Sequence, residues 1–352
     1  MYRSRFALAT LLAMMSVSSV ATVASAADTP FRSELDASSR RTGLGRTSLP
    51  ILMRVPGQGR DVASAKLLAR LATSNALAVK VASGVARAER DMLESASGKW
   101  RLRVYADGSK AKFRDMGYLN EHPEFIRKIG DRMPQAEAET RARSFIESEL
   151  SEFVKLGSGE TLVALKTVYE TRQASNVRKS APEPAEAVSS TAVFGRTVNG
   201  VAVIGAGSKV AVTLANDGTV VAFDYDWPEL AVSGEGQAVL PVSGINERAS
   251  ALSRMRMKNN SVRIKHFECG YADLGARQGA GTLQAACSVQ YVGTSVSGAA
   301  GQSVSAGQAD LVPAGVQVLP DRGWPEAQAL CLSGDVCKGS DLTPALPPPA
   351  GN

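Results

Sequence analysis

The chain has 352 residues, of which 44% are hydrophobic, 21% are charged and 5% are aromatic, and its formal net charge is +6. Spread over this length, the positive balance is weak and does not indicate a nucleic-acid-binding protein. The few aromatic residues supply poor stacking platforms for sugars or single-stranded nucleic acid.

The first 26 residues predict a secretory signal peptide. Arg3 and Arg5 precede an apolar stretch, residues 6–23, and Ala-Ser-Ala at residues 24–26 forms an A-x-A cleavage site. We therefore expect a protein exported through a cleaved signal, to the periplasm or outside the cell. The alternative is a membrane anchor, which the short apolar core and the cleavage site disfavour.

Residues 27–130 are predicted to form an N-terminal α+β module that begins with a loose leader. Leucines at helical spacing predict a helix over Asp61 to Thr73. Alternation in Trp100 to Asp115, interrupted by Asp107-Gly108, predicts a β-hairpin.

Residues 131–232 open with the clearest helix, Met133 to Gly157. Pro134 suits the first turn, because its missing N–H would be unpaired there. The apolar positions form one stripe along this helix; they are Ala138, Ala142, Phe145, Ile146, Leu150 and Phe153. A strand is expected at Thr161 to Thr171, and an exposed loop at Asn176 to Ser190.

The second half of this unit predicts consecutive antiparallel strands. Thr191 to Val198 leads into Asn199-Gly200, and residues 208–214 lead into Asp217-Gly218. Asn-Gly and Asp-Gly between alternating apolar residues are strong hairpin signals. The unit is therefore expected to be a helix followed by a four-stranded meander that ends at Trp227.

The order of a helix followed by strands recurs in residues 233–337, which predict a C-terminal α+β module. A helix is expected over Ser243 to Met257, followed by strands at Val262 to Tyr271 and Thr282 to Val292. Residues 338–352, with three consecutive prolines near their end, predict a disordered tail.

The four cysteines all lie in the last quarter of the chain, at Cys269, Cys287, Cys331 and Cys337. An even number in an exported protein indicates disulfides. Three connectivities are possible, and we predict pairing between neighbours, Cys269 with Cys287 and Cys331 with Cys337. The alternative is a zinc site, which the missing C-x-x-C spacing and the small number of histidines disfavour.

The helix at 133–157 and the sequence VNGVAVIGAGSKVAVTLANDGTVVAFDYDW resemble the PepSY and related FTP propeptide modules of exported bacterial proteins. The similarity covers residues 131–230 and rests on turn chemistry and strand alternation. It implies a small α+β unit in which a helix packs on an antiparallel sheet. Together with the recurring order of helix and strands, this predicts an α+β fold of two or three modules, each a helix packed on an antiparallel meander. The similarity also implies interaction with other exported proteins, secreted peptidases among them, and it supplies no catalytic residues.

Two residue pairs are candidates for chemistry. His266 and Glu268 share a strand face, as an acid–base couple or two metal ligands would, but an exposed polar strand face beside a disulfide is the favoured interpretation. Asp224 and Asp226 also share a face and alternate with apolar residues, which favours a solvated face over paired catalytic carboxylates. Tyr225 and Trp227 are expected to be partly exposed.

The sequence therefore favours a non-enzymatic exported protein that binds another protein or a peptide through a sheet face, a sheet edge or an interdomain groove. Its candidate binding residues are Asp224, Tyr225, Asp226, Trp227, His266 and Glu268. No cofactor, metal or nucleic acid is expected. The alternatives are an envelope hydrolase that uses His266 and Glu268 or the Asp224–Asp226 pair, and a purely structural envelope component.

Overall fold

The computed structural model describes residues 46–78, 81, 85–89, 91–173, 183–256, 261–275, 281–297 and 302–316. The predicted signal peptide, the predicted tail and the predicted bond between Cys331 and Cys337 lie outside these residues. None of the helices in the described ranges is long and apolar enough to cross a membrane.

The described ranges contain four α-helices and fifteen strands. The helices are α1 (Arg60–Thr73), α2 (Tyr118–Glu121), α3 (Gln135–Glu149) and α4 (Val242–Arg256). The first seven strands are β1 (Ser48–Val55), β2 (Val85–Glu89), β3 (Met92–Ser95), β4 (Trp100–Val104), β5 (Lys110–Asp115), β6 (Arg127–Lys128) and β7 (Glu160–Arg172). The others are β8 (Glu186–Val198), β9 (Val201–Gly205), β10 (Lys209–Ala215), β11 (Val220–Asp226), β12 (Glu229–Ala238), β13 (Ser261–Asp273), β14 (Thr282–Ser297) and β15 (Gln302–Pro313).

The expected architecture of two or three helix-on-meander modules is wrong. The fifteen strands connect into one mixed sheet, in the order β12-β1-β14-β13-β9-β8-β10-β11-β5-β4-β3-β2, with β15 on β14 and both β6 and β7 on β8. Strands from the start of the chain pair with strands from its end, as β1 does with β12 and β14. The sheet is therefore continuous across the expected modules.

The path of β9 shows how the expected meander fails. The Asn199-Gly200 turn forms as predicted, with φ of 50° and 80°, but β9 pairs with only two residues of β8 and then runs parallel to β13. The contact is close, since a Cβ on Gly270 would lie 2.1 Å from the carbonyl oxygen of Ala202. Glycine at position 270 thus permits a long-range pairing, and β8 pairs with β10 instead of continuing the meander.

Several local predictions are confirmed, with shifts at the ends of elements. The first predicted helix corresponds to α1, and the hairpin around Asp107-Gly108 joins β4 to β5. The α-helix predicted from residue 133 ends at Glu149, eight residues early, and turns follow it. The predicted loop over 176–190 is wrong at its end, because β8 already begins at Glu186.

Two hydrophobic clusters lie along the sheet. In the first, α1 and α3 pack on one face of β4, β5, β8, β10 and β11; its largest side chains are Trp100, Phe113, Phe145, Phe194, Phe223 and Tyr225. In the second, α4 packs with β1, β13, β14 and the end of β15; its members include Leu52, Ile245, Leu252, Phe267, Tyr271, Leu283 and Tyr291. The outer face of the first part of the sheet is left for the candidate site.

Candidate functional site

The candidate site is the face of the sheet opposite α1 and α3, which we call the open face. Side chains alternate between the two faces along each strand. Core residues such as Phe194 and Phe223 point toward the helices, so their neighbours in the chain point to the open face. Cross-strand pairing then aligns the outward side chains in rows across β7, β8, β10, β11, β5 and β4. Row 1 contains Val168, Thr191, Thr213, Ala222, Arg114 and Arg101; row 2 contains Lys166, Val193, Ala211, Asp224, Lys112 and Arg103.

The β7 end of the open face carries exposed apolar side chains and one exposed cation, Lys166. Leu165 is 44% exposed and Val168 is 47% exposed. A Cβ on Gly195 would lie 3.0 Å from Leu165 Cδ1, which places this leucine across β8 on the open face. Half-buried Val193 and Ala211 continue the surface toward the middle of the sheet. Large apolar side chains that adjoin one another on a surface are typical of interaction sites.

The β4–β5 end of the open face is basic. Arg101 contacts Glu94 at 3.0 Å, Arg103 contacts Asp91 at 2.7 Å, and Lys112 contacts Asp224 at 2.6 Å. The hydrogen bonds that Arg114 donates go to the carbonyl oxygens of Phe113 and Phe223. Four cations thus share three carboxylates, and the surplus charge lies on Arg114.

At this end, two pairs of directly opposed residues carry charges of the same sign. Arg101 is opposite Arg114, and Arg103 is opposite Lys112. Like charges in directly opposed positions destabilise a sheet by a few tenths of a kcal/mol to about 1 kcal/mol per pair. The three ion pairs reduce this cost without cancelling it, since exposed ion pairs are weak and screened by salt.

A third row contains Val163, Gly195, Lys209, Asp226 and Lys110, of which Gly195 and Asp226 are buried. Arg54, on β1, donates to Asp226 Oδ1 at 2.6 Å and to Asp273 Oδ1 at 2.5 Å. All three side chains are almost fully buried, and Lys110 Nζ lies 3.2 Å from Asp226 Oδ2. Burial opposes the charge of Arg54, but the two carboxylates outweigh it and raise its pKa.

The loop before β10 holds Asp273 in place. Ser208 Oγ donates to Asp273 Oδ2 at 2.6 Å, and the Gly207 N–H donates to the Asp273 carbonyl oxygen at 2.9 Å. A Cβ on Gly207 would lie 2.3 Å from the Asp273 carboxyl carbon, so only glycine fits this approach. Arg54, Asp226 and Asp273 therefore form a closed ion cluster between the two hydrophobic clusters.

Lys209 lies at the border between the open face and the second cluster. Its Nζ donates to the carbonyl oxygen of Val203 at 2.7 Å. Burial lowers its pKa, while the carboxylates of Glu268 and Asp273 partly oppose this shift. The predicted pair at His266 and Glu268 is thus linked electrostatically to the row that contains Asp226.

The lowered pKa of Lys209 predicts a pH-dependent difference between the wild type and Lys209→Met. Below the folded-state pKa, the wild type carries the full cost of a charge in a half-buried site. As pH rises toward the ordinary value of 10.5, the unfolded chain binds more protons than the folded one, and the cost is relieved. Urea unfolding at pH 8 and pH 10 should therefore show the wild type gaining stability relative to K209M.

Lys166→Met is the matched control, because Lys166 lies exposed on the open face two strands away. Its free energy of unfolding relative to the wild type should stay constant between the two pH values. A K209M difference that is equally constant would contradict the assignment of a lowered pKa to Lys209.

The prediction that Asp224 and Asp226 lie on a solvated strand face is right for only one of the two. Asp224 is half-buried on the open face, whereas Asp226 is buried in the ion cluster. The partial exposure expected for Tyr225 and Trp227 is wrong, since they are 0% and 3% exposed. Both point into the first cluster, where Tyr225 packs against Phe153.

Trp227 is held by a second buried charge. The Arg196 guanidinium lies 4.1 Å from the centre of the Trp227 ring, bonds Glu160 at 3.1 Å and donates to the Pro228 carbonyl oxygen at 2.6 Å. Desolvation lowers the pKa of Arg196, although Glu160 partly opposes this. The indole Nε1 donates to the Lys155 carbonyl oxygen at 2.7 Å. These contacts give Trp227 a packing role.

His266 and Glu268 both point into solvent from β13. Their side chains are 51% and 39% exposed, and Nε2 lies 3.4 Å from Oε2. The disulfide predicted beside them is confirmed, because Cys269 and Cys287 are bonded across β13 and β14. Within the described ranges, no three His, Cys, Asp or Glu side chains come together as metal ligands.

Sequence reasoning missed Arg54, Asp273, Leu165 and the basic end of the open face. One signal was available for the last of these. Strict alternation in WRLRV and KAKFR places every cation of β4 and β5 on the face opposite Trp100 and Phe113. Arg54 gave no comparable signal, because its partners lie 172 and 219 residues away in the chain.

Neither a protein-family model nor a curated protein sequence matches this chain. Similar solved structures include the crystal structure of an uncharacterized protein from Eubacterium rectale, with 11% identity and a TM-score of 0.47. That alignment covers 78% of this chain and 87% of the other. A similarity this distant assigns neither family nor function, and the resemblance to PepSY modules stays a prediction.

Proposed function

We propose that this chain is an exported, non-enzymatic binding protein that docks another protein against the open face. The observation that carries the proposal is the asymmetry of the sheet. One face is buried under α1 and α3, while the other presents Leu165 and Val168, both nearly half exposed, beside Val193 and Ala211. A partner that covers these side chains would gain hydrophobic burial at no cost to the fold.

The candidate catalytic pairs give the alternative hydrolase little support. The carboxylate of Asp226 is neutralised by Arg54 and Lys110 inside a closed cluster. His266 and Glu268 lie side by side in solvent instead of converging in a pocket. General acid–base chemistry benefits from a water-excluded site that shifts the pKa values of such groups.

Two features support export as part of the proposal. The basic, apolar and A-x-A segments of residues 1–26 have the composition of a signal peptide. The Cys269–Cys287 bond belongs to an oxidising compartment. The resemblance to PepSY modules suggests a secreted peptidase as one class of partner.

Leu165→Lys with Val168→Lys should weaken docking strongly while leaving the fold intact. Fully burying either side chain contributes about 1.5–3 kcal/mol, so the double variant should bind at least about tenfold more weakly. The test places a photo-crosslinking amino acid at Thr213, on the same face, and identifies cross-linked proteins by mass spectrometry in the native envelope. Loss of the cross-link in the double variant is the expected result.

Val62 is the matched control, because it is 48% exposed but lies on α1, beyond the opposite face of the sheet. Val62→Lys should leave the cross-link unchanged. The proposal would be wrong if the Thr213 probe captured no protein, or if the Val62 substitution reduced capture as much as the double substitution did. Capture of no protein would favour a purely structural envelope component.

A further inference from the structure

We infer that the partner covers the open face with an amphipathic helix that lies across the strands, with apolar side chains toward β7 and carboxylates toward β4. This inference rests on the proposed function and adds the shape and charge of the partner. Its basis is the distribution of side chains along rows 1 and 2. The exposed apolar residues lie toward β7, where Lys166 is the one cation, and four cations lie toward β4.

The dimensions of the open face suit a helix. Six strands from β7 to β4 span five interstrand spacings, about 24 Å in total. An α-helix rises about 1.5 Å per residue, so roughly 16 residues cover this distance. The opposite face is already covered by helices α1 and α3, and a helix on the open face would complete a three-layer arrangement of the common kind.

The edge of β7 is a poorer docking site than the face. β7 has irregularities in its pairing with β8 between Ala164 and Lys166 and between Glu170 and Thr171. Bulges of this kind disrupt the ladder of backbone groups that an added strand would need. The bulge at Leu165 instead turns this side chain onto the open face, where it lies across Gly195.

The charge of the partner follows from the basic end of the rows. Arg101 opposes Arg114 and Arg103 opposes Lys112, and within the described ranges the hydrogen bonds of Arg114 go to carbonyl oxygens. Carboxylates from a partner would supply the missing counter-charge and relieve the repulsion between opposed cations. A basic partner would meet the same repulsion and be rejected.

The test uses a synthetic 16-residue alanine-based helical peptide with leucines along one face of its first half and glutamates in its second half. A second peptide carries lysine in place of each glutamate. Both are titrated into the oxidised, signal-free chain while backbone amide shifts are followed by NMR. We expect only the acidic peptide to bind, with shifts at Val168, Val193, Ala211 and Arg114, and we expect binding to weaken as salt is raised.

Arg101→Glu should weaken binding of the acidic peptide roughly fivefold at low salt. Arg141→Glu is the matched control, because both arginines are 49% exposed and each is paired with a glutamate. Arg141 lies on α3, behind the opposite face, so its substitution should leave affinity unchanged. Equal effects of the two substitutions, or none from R101E, would overturn the inference.

The outcomes separate this inference from the proposed function. If the Thr213 cross-link depends on Leu165 and Val168 while R101E and peptide charge have no effect, the open face binds a partner but not an acidic helix. Preferential binding of inorganic polyphosphate would overturn the inference in favour of a polyanion site. Concentration-dependent dimerisation that the L165K/V168K variant abolishes would overturn it in favour of a second copy. Loss of both peptide binding and cross-linking would remove both proposals.

Discussion

Arg54→Met should lower the free energy of unfolding by about 3–5 kcal/mol, the range expected when one partner of a buried ion pair is removed. The substitution keeps most of the side-chain volume and removes the only charge that bonds both Asp226 and Asp273 among the described residues. Two buried carboxylates would then lose the guanidinium that contacts both of them. Urea unfolding monitored by circular dichroism at pH 7 measures the loss.

Two further variants test whether the loss of stability comes from buried carboxylates left without a cation. Arg54→Met combined with Asp226→Asn and Asp273→Asn removes both buried carboxylates and leaves only the partly exposed Lys110 without its partner Asp226, so it should recover much of the lost stability. Arg141→Met, at an exposed ion pair on α3, should change stability by less than about 0.5 kcal/mol. A loss below about 1 kcal/mol for R54M would contradict the closed ion cluster.

The position of this cluster explains why its stability bears on the open face. Arg54 comes from β1, Asp226 from the end of β11, and Asp273 from the end of β13. The cluster therefore joins the part of the sheet that carries the open face to the second hydrophobic cluster. Gly195 and Asp226 of the third row are buried, and rows 1 and 2 carry the more accessible side chains.

Local chemistry was predictable wherever neighbours in the chain decide the structure. Asn199-Gly200 formed the expected turn because its positive φ angles suit those two residues. Helix α1 formed because Leu67 and Leu71 lie one turn apart and are both buried in the first cluster. Alternation in β11 likewise placed Phe223 toward the core, although the partial exposure expected for Tyr225 was wrong.

Long-range pairing decided the features that the sequence did not predict. Asp224 and Asp226 have the same local pattern, yet one lies on the open face and the other is buried. The difference comes from Arg54, which lies 172 residues before Asp226. The single mixed sheet arises in the same way, because β1 pairs with β12 and β14, and β9 pairs with β13. No pattern within one segment encodes such partners.

Removing the Cys269–Cys287 bond should cost about 3 kcal/mol of stability. The two cysteines are 18 residues apart, and closing a loop of this length in the unfolded chain accounts for that figure in the chain-entropy view. The bond joins directly opposed residues of β13 and β14 inside the second cluster, so it also fixes the register of these strands. Cys269→Ala with Cys287→Ala is the direct test.

The measurement is clearest in a background where Cys331 and Cys337 are alanine, so that only this bond responds to reductant. Reduction should then lower the urea midpoint of the parent, and the variant that also lacks Cys269 and Cys287 should show no response. Peptide mapping without reductant should recover Cys269 linked to Cys287. The bond would be contradicted if reductant left the urea midpoint of the parent unchanged, or if mapping found free thiols at both positions. Either result would also remove one of the two supports for export, since a stabilising disulfide of this size has value only in an oxidising compartment.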